Sequence, residues 1–375
     1  MNQVAASTIL TDALIIGAGP VGLFQAFELG LLDIESHIVD AMPAPGGQCV
    51  ALYANKPIYD IPGIPFCTGQ SLVDGLLLQL KPLTPVFHLG QVVVSLGSSD
   101  SAEDGFRFQV ETSTGTQFSA RCVFIAAGVG AFQPRRLPVA GLEAFENQQI
   151  FYPGNQADQA ATELEQELSP LVKSLVVVGG DESAVSRAIA LATHCAKGSS
   201  PSVVLIHRRD TFEASPETLA QLLELRQAGK IRVLAGQITG FETHPVSANA
   251  TTPALGALVV ANAENASLES VAADRVWVHL GLSPRLGPLS DWGLALERKQ
   301  LPVATDTFAT SIPGIYAVGD INTYSGKRKL ILCGFHEATL AAFAAASRLN
   351  PEEKIQLQYT TTSKHLHQLL GVLGA

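Results

Sequence analysis

The sequence is poor in cysteine and in charged side chains. Five of its 375 residues are cysteines, and only 15% are Asp, Glu, Lys or Arg. The cysteines form neither a C-x-x-C pair nor the spacing of a metal site, so we expect small buried thiols and no metal centre. They are Cys49, Cys67, Cys122, Cys195 and Cys333.

Excess positive charge and long apolar runs are also lacking. The formal net charge of −10 argues against a nucleic-acid partner, because a phosphate backbone selects basic surfaces. No apolar run has the length of a membrane span, and the first residues lack the basic flank and apolar core of a signal peptide. We therefore expect no membrane association and a cytoplasmic location.

The composition is that of a globular protein with room for two domains. Hydrophobic residues make up 47% of the sequence, and 375 residues exceed what one ordinary core accommodates. A strand–turn–helix unit occurs at Gly17 and again at Gly179. An order of half-domain, inserted domain and half-domain explains why the two units lie so far apart.

The first unit is an apolar strand that leads into G-x-G-x-x-G and then into a helix predicted over Leu23–Leu32. The glycines permit a tight turn, a close approach of backbone to a pyrophosphate, and packing of helix on strand. The next strand, Ser36–Asp40, ends in a carboxylate roughly 20 residues on, where the ribose of an adenine dinucleotide is bound. An ordinary glycine-rich turn is the alternative, but this context favours dinucleotide binding. The candidate residues are Gly17, Gly19, Pro20, Val21, Gly22 and Asp40.

The second unit begins with a buried strand, Ser174–Val178, and passes through a glycine turn into a helix predicted over Val185–Thr193. Its following strand ends in His-Arg-Arg-Asp, a basic end in place of an acidic one. Arginine there suits a nucleotide 2′-phosphate, because a guanidinium pairs with phosphate oxygens. A solvated basic turn is the alternative. The candidate residues are Gly179, Gly180, Arg208 and Arg209.

With these residues in place, the chain resembles the thioredoxin-reductase-like ferredoxin–NADP(+) reductases of bacteria over nearly its whole length. The most specific stretches are Ile15–Leu29, Pro57–Pro65, Val123–Pro134, Pro313–Asn322, Leu330–Glu337 and Tyr359–Ser363. The resemblance implies an α/β fold with two Rossmann-like, three-layer dinucleotide-binding domains. A discontinuous FAD domain takes residues 1–130 and 275–375, and an inserted NAD(P)H-binding domain takes residues 131–274. It also implies a homodimer that binds FAD and NADPH and exchanges electrons with ferredoxin or flavodoxin.

The same resemblance assigns roles around the flavin. Tyr53 is expected to stack on one face of the isoalloxazine, and Tyr359, supplied by the partner subunit, is expected to cover the other. Thr360 is expected near flavin N5. The remaining FAD contacts, from adenosine to flavin, are assigned to Asp40, Val93, Asp320, Gln48, Phe132 and Thr361. The basic run Lys327–Lys329 is either a docking patch for an acidic ferredoxin or a solvated loop.

The inserted domain departs from the family pattern at the pyrophosphate. Where the family has G-G-G-D-S-A, this chain has Gly-Gly-Asp-Glu-Ser-Ala, so Asp181 replaces the glycine that the pyrophosphate approaches. A carboxylate there repels a phosphate, and we expect it to weaken NADPH binding. Glu213 stands where the family usually has arginine, although Arg208 and Arg209 remain.

Two functions are consistent with these residues. One is an NADPH-linked reductase that passes electrons singly to ferredoxin or flavodoxin. The other is a flavoprotein of the same fold with an impaired NADPH site, which uses another donor or acts as a redox sensor or binding protein. A disulfide reductase is disfavoured, because no two cysteines lie at helix-turn spacing.

Overall fold

The structure is a computed structural model that describes residues 8–98, 105, 107–152, 172–194, 202–244, 253–352 and 354–372. The chain divides into two compact units. Unit 1 is formed by Met1–Ala131 and Pro284–Ala375, and unit 2 by Phe132–Ser283. Unit 1 is therefore discontinuous in sequence, and unit 2 is inserted between its two segments.

The described strands and helices are numbered in chain order. The strands are β1 (Ile9–Ile16), β2 (Ser36–Asp40), β3 (Pro57–Ile58), β4 (Cys67–Thr68), β5 (Val86–Leu89), β6 (Val93–Ser98), β7 (Phe108–Thr112), β8 (Gln117–Ile125), β9 (Ala131–Pro134), β10 (Ile150–Phe151), β11 (Ser174–Gly179), β12 (Ser202–His207), β13 (Ile231–His244), β14 (Ala254–Asn262), β15 (Leu268–Ala272), β16 (Arg275–His279), β17 (Leu282–Arg285), β18 (Leu301–Pro302), β19 (Ile315–Ala317) and β20 (Asn322–Thr323). The helices are α1 (Pro20–Gly30), α2 (Gly47–Tyr53), α3 (Gly69–Leu80), α4 (Glu182–His194), α5 (Pro216–Gln227), α6 (Ile331–Leu349) and α7 (Lys364–Leu369).

A seven-stranded sheet forms the centre of unit 1. Its order is β5-β2-β1-β8-β7-β6, and β19 pairs with β8. Strands β5, β2, β1, β8 and β19 are parallel, whereas β7 pairs antiparallel with β8 and β6 pairs antiparallel with β7. Alternate residues of β1 enter two cores: Ala13 and Ile15 pack on the helical face, Leu14 and Ile16 on the opposite face. Because both faces are covered, the strand is apolar throughout rather than alternating.

Unit 2 repeats this plan with a second seven-stranded sheet, of order β10-β16-β11-β12-β13-β14-β15. Strands β10 to β13 and β16 are parallel, and β14 and β15 extend the edge antiparallel. Helix α4 packs on one face through Ala184, Val185 and Ala188. The two units confirm the predicted α/β class with two Rossmann-like folds. The edge formed by β14 and β15 falls within residues 243–273, of which residues 245–252 are outside the described part.

The predicted helix starts were too late, because first turns built from glycine, proline or acidic residues carry no apolar periodicity. Helix α1 begins at Pro20 and α4 at Glu182, each three residues before the predicted start. Helix α3 begins with a reciprocal capping box, in which the Thr68 hydroxyl accepts from the N–H of Ser71 and the Ser71 hydroxyl accepts from the N–H of Thr68.

Candidate cofactor sites

The carboxyl ends of four parallel strands lie side by side in unit 1. Ile16 at the end of β1 is in register with Val39 of β2 and Ile125 of β8, and Ile125 is in register with Ala317 of β19. The residues that follow these strands therefore share one edge of the sheet. They include Gly17, Asp40, Ala126 and Gly319. Open α/β sheets bind ligands at this edge.

The first glycine turn is shaped as the motif requires. Gly17 has a φ of +115°, and a Cβ there would collide with the carbonyl of Ala126. A Cβ on Gly22 would collide with the carbonyl of Gly17, so the first turn of α1 lies directly on the turn. A Cβ on Gly19 would meet nothing within 4 Å. The open space is thus at the glycine assigned to pyrophosphate approach, and α1 has no side-chain cap to occupy its free N–H groups.

Asp40 is fixed at the end of β2 by two backbone donors. Its carboxylate accepts hydrogen bonds from the N–H of Ala18, at 2.5 Å, and of Met42, at 2.7 Å. Burial raises the pKa of Asp40, and these two hydrogen bonds oppose that rise. A carboxylate that is hydrogen-bonded to Ala18 of the glycine turn suits the ribose role predicted for it.

Three residues assigned to the flavin end lie close to the same edge. Burial raises the pKa of Tyr53, and the nearby charges of Cys49 and Asp320 add to the rise. The phenol of Tyr53 and the carboxyl of Asp320 are therefore within electrostatic reach of each other. The Gln48 side chain occupies the space in which Gly128 has no Cβ, with its Nε2 2.9 Å from that position. Gln48 is thus next to the residue that follows β8, while Tyr53 and Asp320 influence each other in the same unit.

A second helix N-terminus meets that of α1. Helix α6 follows Leu330 and has no side-chain cap. A Cβ on Gly334 would collide with Val21, so the first turns of α6 and α1 are in close contact. Gly334 lies within the first turn of α6. Two uncapped helix ends, each with a partial positive charge, therefore adjoin the edge that carries Asp320.

The basic run before α6 is exposed at only two of its three residues. The Lys327 side chain is only 7% exposed, and its Nζ lies 2.5 Å from the carboxylate of Glu337. Neither a docking patch nor a solvated loop describes Lys327, although Arg328 and Lys329 are exposed. Glu337 was given no role from the sequence. The signal that could have indicated one is that Glu337 is the only acidic residue of α6.

The C-terminal tail presents its predicted residues to solvent. Tyr359 is 64% exposed, and Thr360 and Thr361 are exposed as well. The segment is nevertheless held in place, because the carbonyl of Tyr359 accepts from the N–H of Ser363 at 2.9 Å. Helix α7, which follows, buries Leu366. The tail therefore displays an aromatic ring and two hydroxyl groups on an ordered turn.

The glycine turn of unit 2 differs from the first in having an occupant. Asp181 is the N-cap of α4, and its Oδ1 accepts hydrogen bonds from the N–H of Ala184, at 3.0 Å, and the hydroxyl of Ser183, at 2.8 Å. The carboxylate thus uses a helix N–H that a pyrophosphate would otherwise bind. Glu213 joins this turn, since its N–H donates to the carbonyl of Gly180 at 2.8 Å. The two acids that depart from the family pattern therefore lie side by side.

The basic end of β12 is open to solvent. Arg208 and Arg209 are exposed, while the adjacent Asp210 is engaged by Arg226 in a two-pronged ion pair at 3.0 and 2.7 Å. The ring of His207 covers Gly180, and its Nδ1 lies 3.0 Å from the carbonyl of Arg209. This arrangement leaves both guanidinium groups available to an anion beside the glycine turn.

The remaining predicted residues are placed but not brought to a recognisable site. Val93 is a buried residue of β6. Phe132 belongs to β9, and its side chain lies outside the described part. The roles assigned to individual site residues stay predictions.

The thiols behave as the sequence indicated. Cys49, Cys67 and Cys122 are buried, Cys333 is half-buried, and Cys195 lies outside the described residues. Burial raises the pKa of Cys49 to about 11 and that of Cys122 to about 12, so neither thiol is activated. No cluster of metal-ligating side chains occurs among the described residues. In the same part of the chain, no helix has the length and apolar character needed to cross a bilayer.

Comparison with known proteins gives a family. Residues 11–345 match the family model described as pyridine nucleotide-disulphide oxidoreductase. The chain is 53% identical over 367 residues to a ferredoxin–NADP reductase of Verminephrobacter eiseniae, with 98% of each chain covered. It is 52% identical over 372 residues to a ferredoxin–NADP reductase of Paracidovorax citrulli, covering 99% of this chain and 98% of the relative.

The solved structures show the fold. Thioredoxin reductase of T. acidophilum superposes with a TM-score of 0.51 at 19% identity, over 91% of this chain and 99% of that one. At that identity the likeness extends to the fold and no further. The chain is more than half identical to these two reductases over nearly its full length. This similarity favours the hypothesis of an NADPH-linked reductase over that of a flavoprotein with an impaired NADPH site.

Proposed function

We propose that the chain is an FAD-dependent oxidoreductase. It belongs to the pyridine nucleotide-disulphide oxidoreductase family and, within that family, to the ferredoxin–NADP reductases. It transfers electrons between NADPH and ferredoxin. When bound, FAD supplies the redox chemistry, because it exchanges a hydride with a nicotinamide and single electrons with a one-electron carrier.

One observation in particular fits FAD to unit 1: the open space at Gly19 in front of an uncapped α1. A pyrophosphate placed there gains free N–H groups and the positive end of the helix dipole without displacing a side chain. Asp40 would bind the adenosine ribose and Asp320 the ribityl chain, on the edge shared by β2 and β19. Tyr53 would cover one face of the flavin and exclude water from it.

NADPH would bind at the turn of unit 2, where Arg208 and Arg209 are free to pair with the 2′-phosphate. The carboxylate of Asp181 makes this site weaker than the FAD site, because it repels the pyrophosphate and occupies the N–H of Ala184. The protein's contribution is to bind and orient both cofactors, and Arg208 and Arg209 select NADPH over NADH.

The working form is a homodimer, and flavodoxin is an alternative carrier to ferredoxin. Support for the dimer comes from Tyr359, whose large aromatic ring stands exposed on an ordered turn. Covering such a ring against the flavin of a second copy would remove it from water. Thr360 and Thr361 would then lie at the same flavin.

An anaerobic titration tests the function. The purified protein should release FAD, and not FMN, on denaturation. Its visible flavin absorbance should bleach with NADPH and recover when oxidised ferredoxin is added, with NADH far less effective. Colourless protein that cannot be reconstituted, or flavin that responds to reduced ferredoxin but never to NADPH, would contradict the proposal.

A further inference from the structure

Gly319 links β19 to Asp320 through an unusual backbone conformation. Its φ is +78°, in the left-handed region that favours glycine. The direction in which Asp320 leaves the sheet depends on this residue. Glycine has no side chain that could stabilise this conformation. The conformation is therefore restrained by the groups that hydrogen-bond to the N–H and the carbonyl of Gly319.

The N–H of Gly319 is held by a buried carboxylate. Glu337 of α6 is 0% exposed, and one of its oxygens accepts from Gly319 N–H and from the amide of Asn322, both at 2.7 Å. The other oxygen accepts from the hydroxyl of Tyr324 at 2.9 Å and from Lys327 at 2.5 Å. These four hydrogen bonds use the accepting capacity of the carboxylate in full.

The carbonyl of Gly319 is hydrogen-bonded to Lys327, the ion-pair partner of Glu337. The ammonium group of Lys327 donates to this carbonyl at 2.9 Å, and this lysine side chain is only 7% exposed. The buried Lys327–Glu337 ion pair therefore hydrogen-bonds both the N–H and the carbonyl of Gly319. Lys327 precedes α6 and Glu337 lies within it, so the pair also ties the start of that helix to the end of β19.

A buried ion pair needs a reason beyond stability. Removing two charges from water costs as much as their attraction returns, and apolar replacements of such pairs are often neutral for stability. Here both members contact the residue before Asp320, the carboxylate assigned to the ribityl chain. We propose that Lys327 and Glu337 are positioning residues that fix the Gly319–Asp320 turn for FAD. This inference rests on the proposed function, because it concerns the same cofactor site.

The test compares single and paired substitutions in the full-length holoprotein. Lys327→Met and Glu337→Gln each leave one buried group without its charged partner, so both should destabilise the fold as well as weaken FAD binding. The double variant removes both charges and should regain the circular dichroism and elution volume of the unmodified protein. Its FAD should still dissociate at least about tenfold more readily, because the charged donor to Gly319 is lost. FAD release is followed by flavin fluorescence after dilution, together with the visible band shape.

Two controls separate positioning from general damage. Tyr324→Phe removes a hydrogen bond to the same carboxylate without touching Gly319, and Arg328→Met removes an exposed neighbouring charge. Both should hold FAD as the unmodified protein does. Gly319→Ala introduces left-handed strain alone, since its Cβ would make ordinary contacts with Val21 at 3.4 Å. It should weaken FAD at least about fivefold.

Tight FAD binding by a folded double variant would overturn the inference. If the double variant does not fold, Gly319→Ala decides, and unchanged FAD affinity in that variant overturns it equally. Unmodified protein that holds no FAD would contradict the proposed function itself. The two failures are therefore distinguishable.

Discussion

Replacing Asp181 should tighten nucleotide binding while slightly weakening the fold. A phosphate on the helix N–H groups comes within about 4 Å of this carboxylate, where two unit charges repel by about 1 kcal/mol in water and about 4 kcal/mol at an effective dielectric of 20. Asp181 is half-buried, so its removal should lie between these limits. At 1.4 kcal/mol for each factor of ten, that is about fivefold to a thousandfold in affinity.

Two substitutions at this position separate charge from hydrogen bonding. Asp181→Asn removes the charge and keeps an oxygen that caps α4, whereas Asp181→Gly removes both. If repulsion dominates, both variants should tighten NADPH and NADH alike, because the cost falls on the pyrophosphate common to both. If occupation of the Ala184 N–H dominates, only the glycine variant should do so. Glycine at an N-cap costs only a few tenths of a kcal/mol relative to Asp, so the fold should survive.

The assay is anaerobic flavin reduction over a range of NADPH concentrations, with NADP⁺ binding measured in parallel. Raising the ionic strength should reduce the difference in NADP⁺ affinity between the unmodified protein and its Asp181 variants, because salt screens exposed charges. Equal NADP⁺ affinity in the unmodified protein, Asp181→Asn and Asp181→Gly would refute the reasoning. Glu213→Gln is the matched control, since it removes the neighbouring charge and leaves the cap intact.

Two further predictions concern selectivity and the tail. Arg208→Ala and Arg209→Ala should each reduce the preference for NADPH over NADH about tenfold or more, since each removes a charge-assisted bond to the 2′-phosphate; the ratio of kcat/KM values measures this, and an unchanged ratio would exclude the role. Truncation before Gln358 should expose the flavin to solvent and raise its reactivity with oxygen. Tyr359→Ser, which keeps α7, should do the same if the ring is the cover, and an unaltered flavin spectrum and turnover in both variants would rule out the tail's role.

The sequence predicted the parts of the molecule that local rules determine. Gly17 and Gly22 have no substitute at their positions, because a Cβ on either residue would collide with a backbone carbonyl. The strand Ser36–Asp40 was predicted with its observed bounds, since it is short, apolar and closed by an acid. Both features are recognised from one run of consecutive residues, Leu14–Asp40.

The hydrogen bonds of the Lys327–Glu337 ion pair to Gly319 could not be predicted in the same way. Lys327 and Glu337 look respectively like part of a basic loop and like a polar residue of a helix. Their contact depends on how α6 packs against the end of β19, which is a property of the tertiary fold. The effect of Asp181 was predicted from its charge, but its hydrogen bond to Ala184 depends on where α4 begins, and that start was placed too late.

The two glycine turns illustrate how one motif serves a resident and an exchanging ligand. A pyrophosphate at α1 replaces only water, because no side chain caps that helix. A nucleotide bound at the N–H of Ala184 would have to displace the carboxylate of Asp181, which could rebind this N–H when the nucleotide leaves. FAD stays through many turnovers, whereas the oxidised nucleotide has to depart after each hydride transfer, and product release often limits turnover. Asp181→Gly should therefore raise kcat/KM for NADPH but lower kcat wherever NADP⁺ release is limiting, and a rise in both would show that release is not.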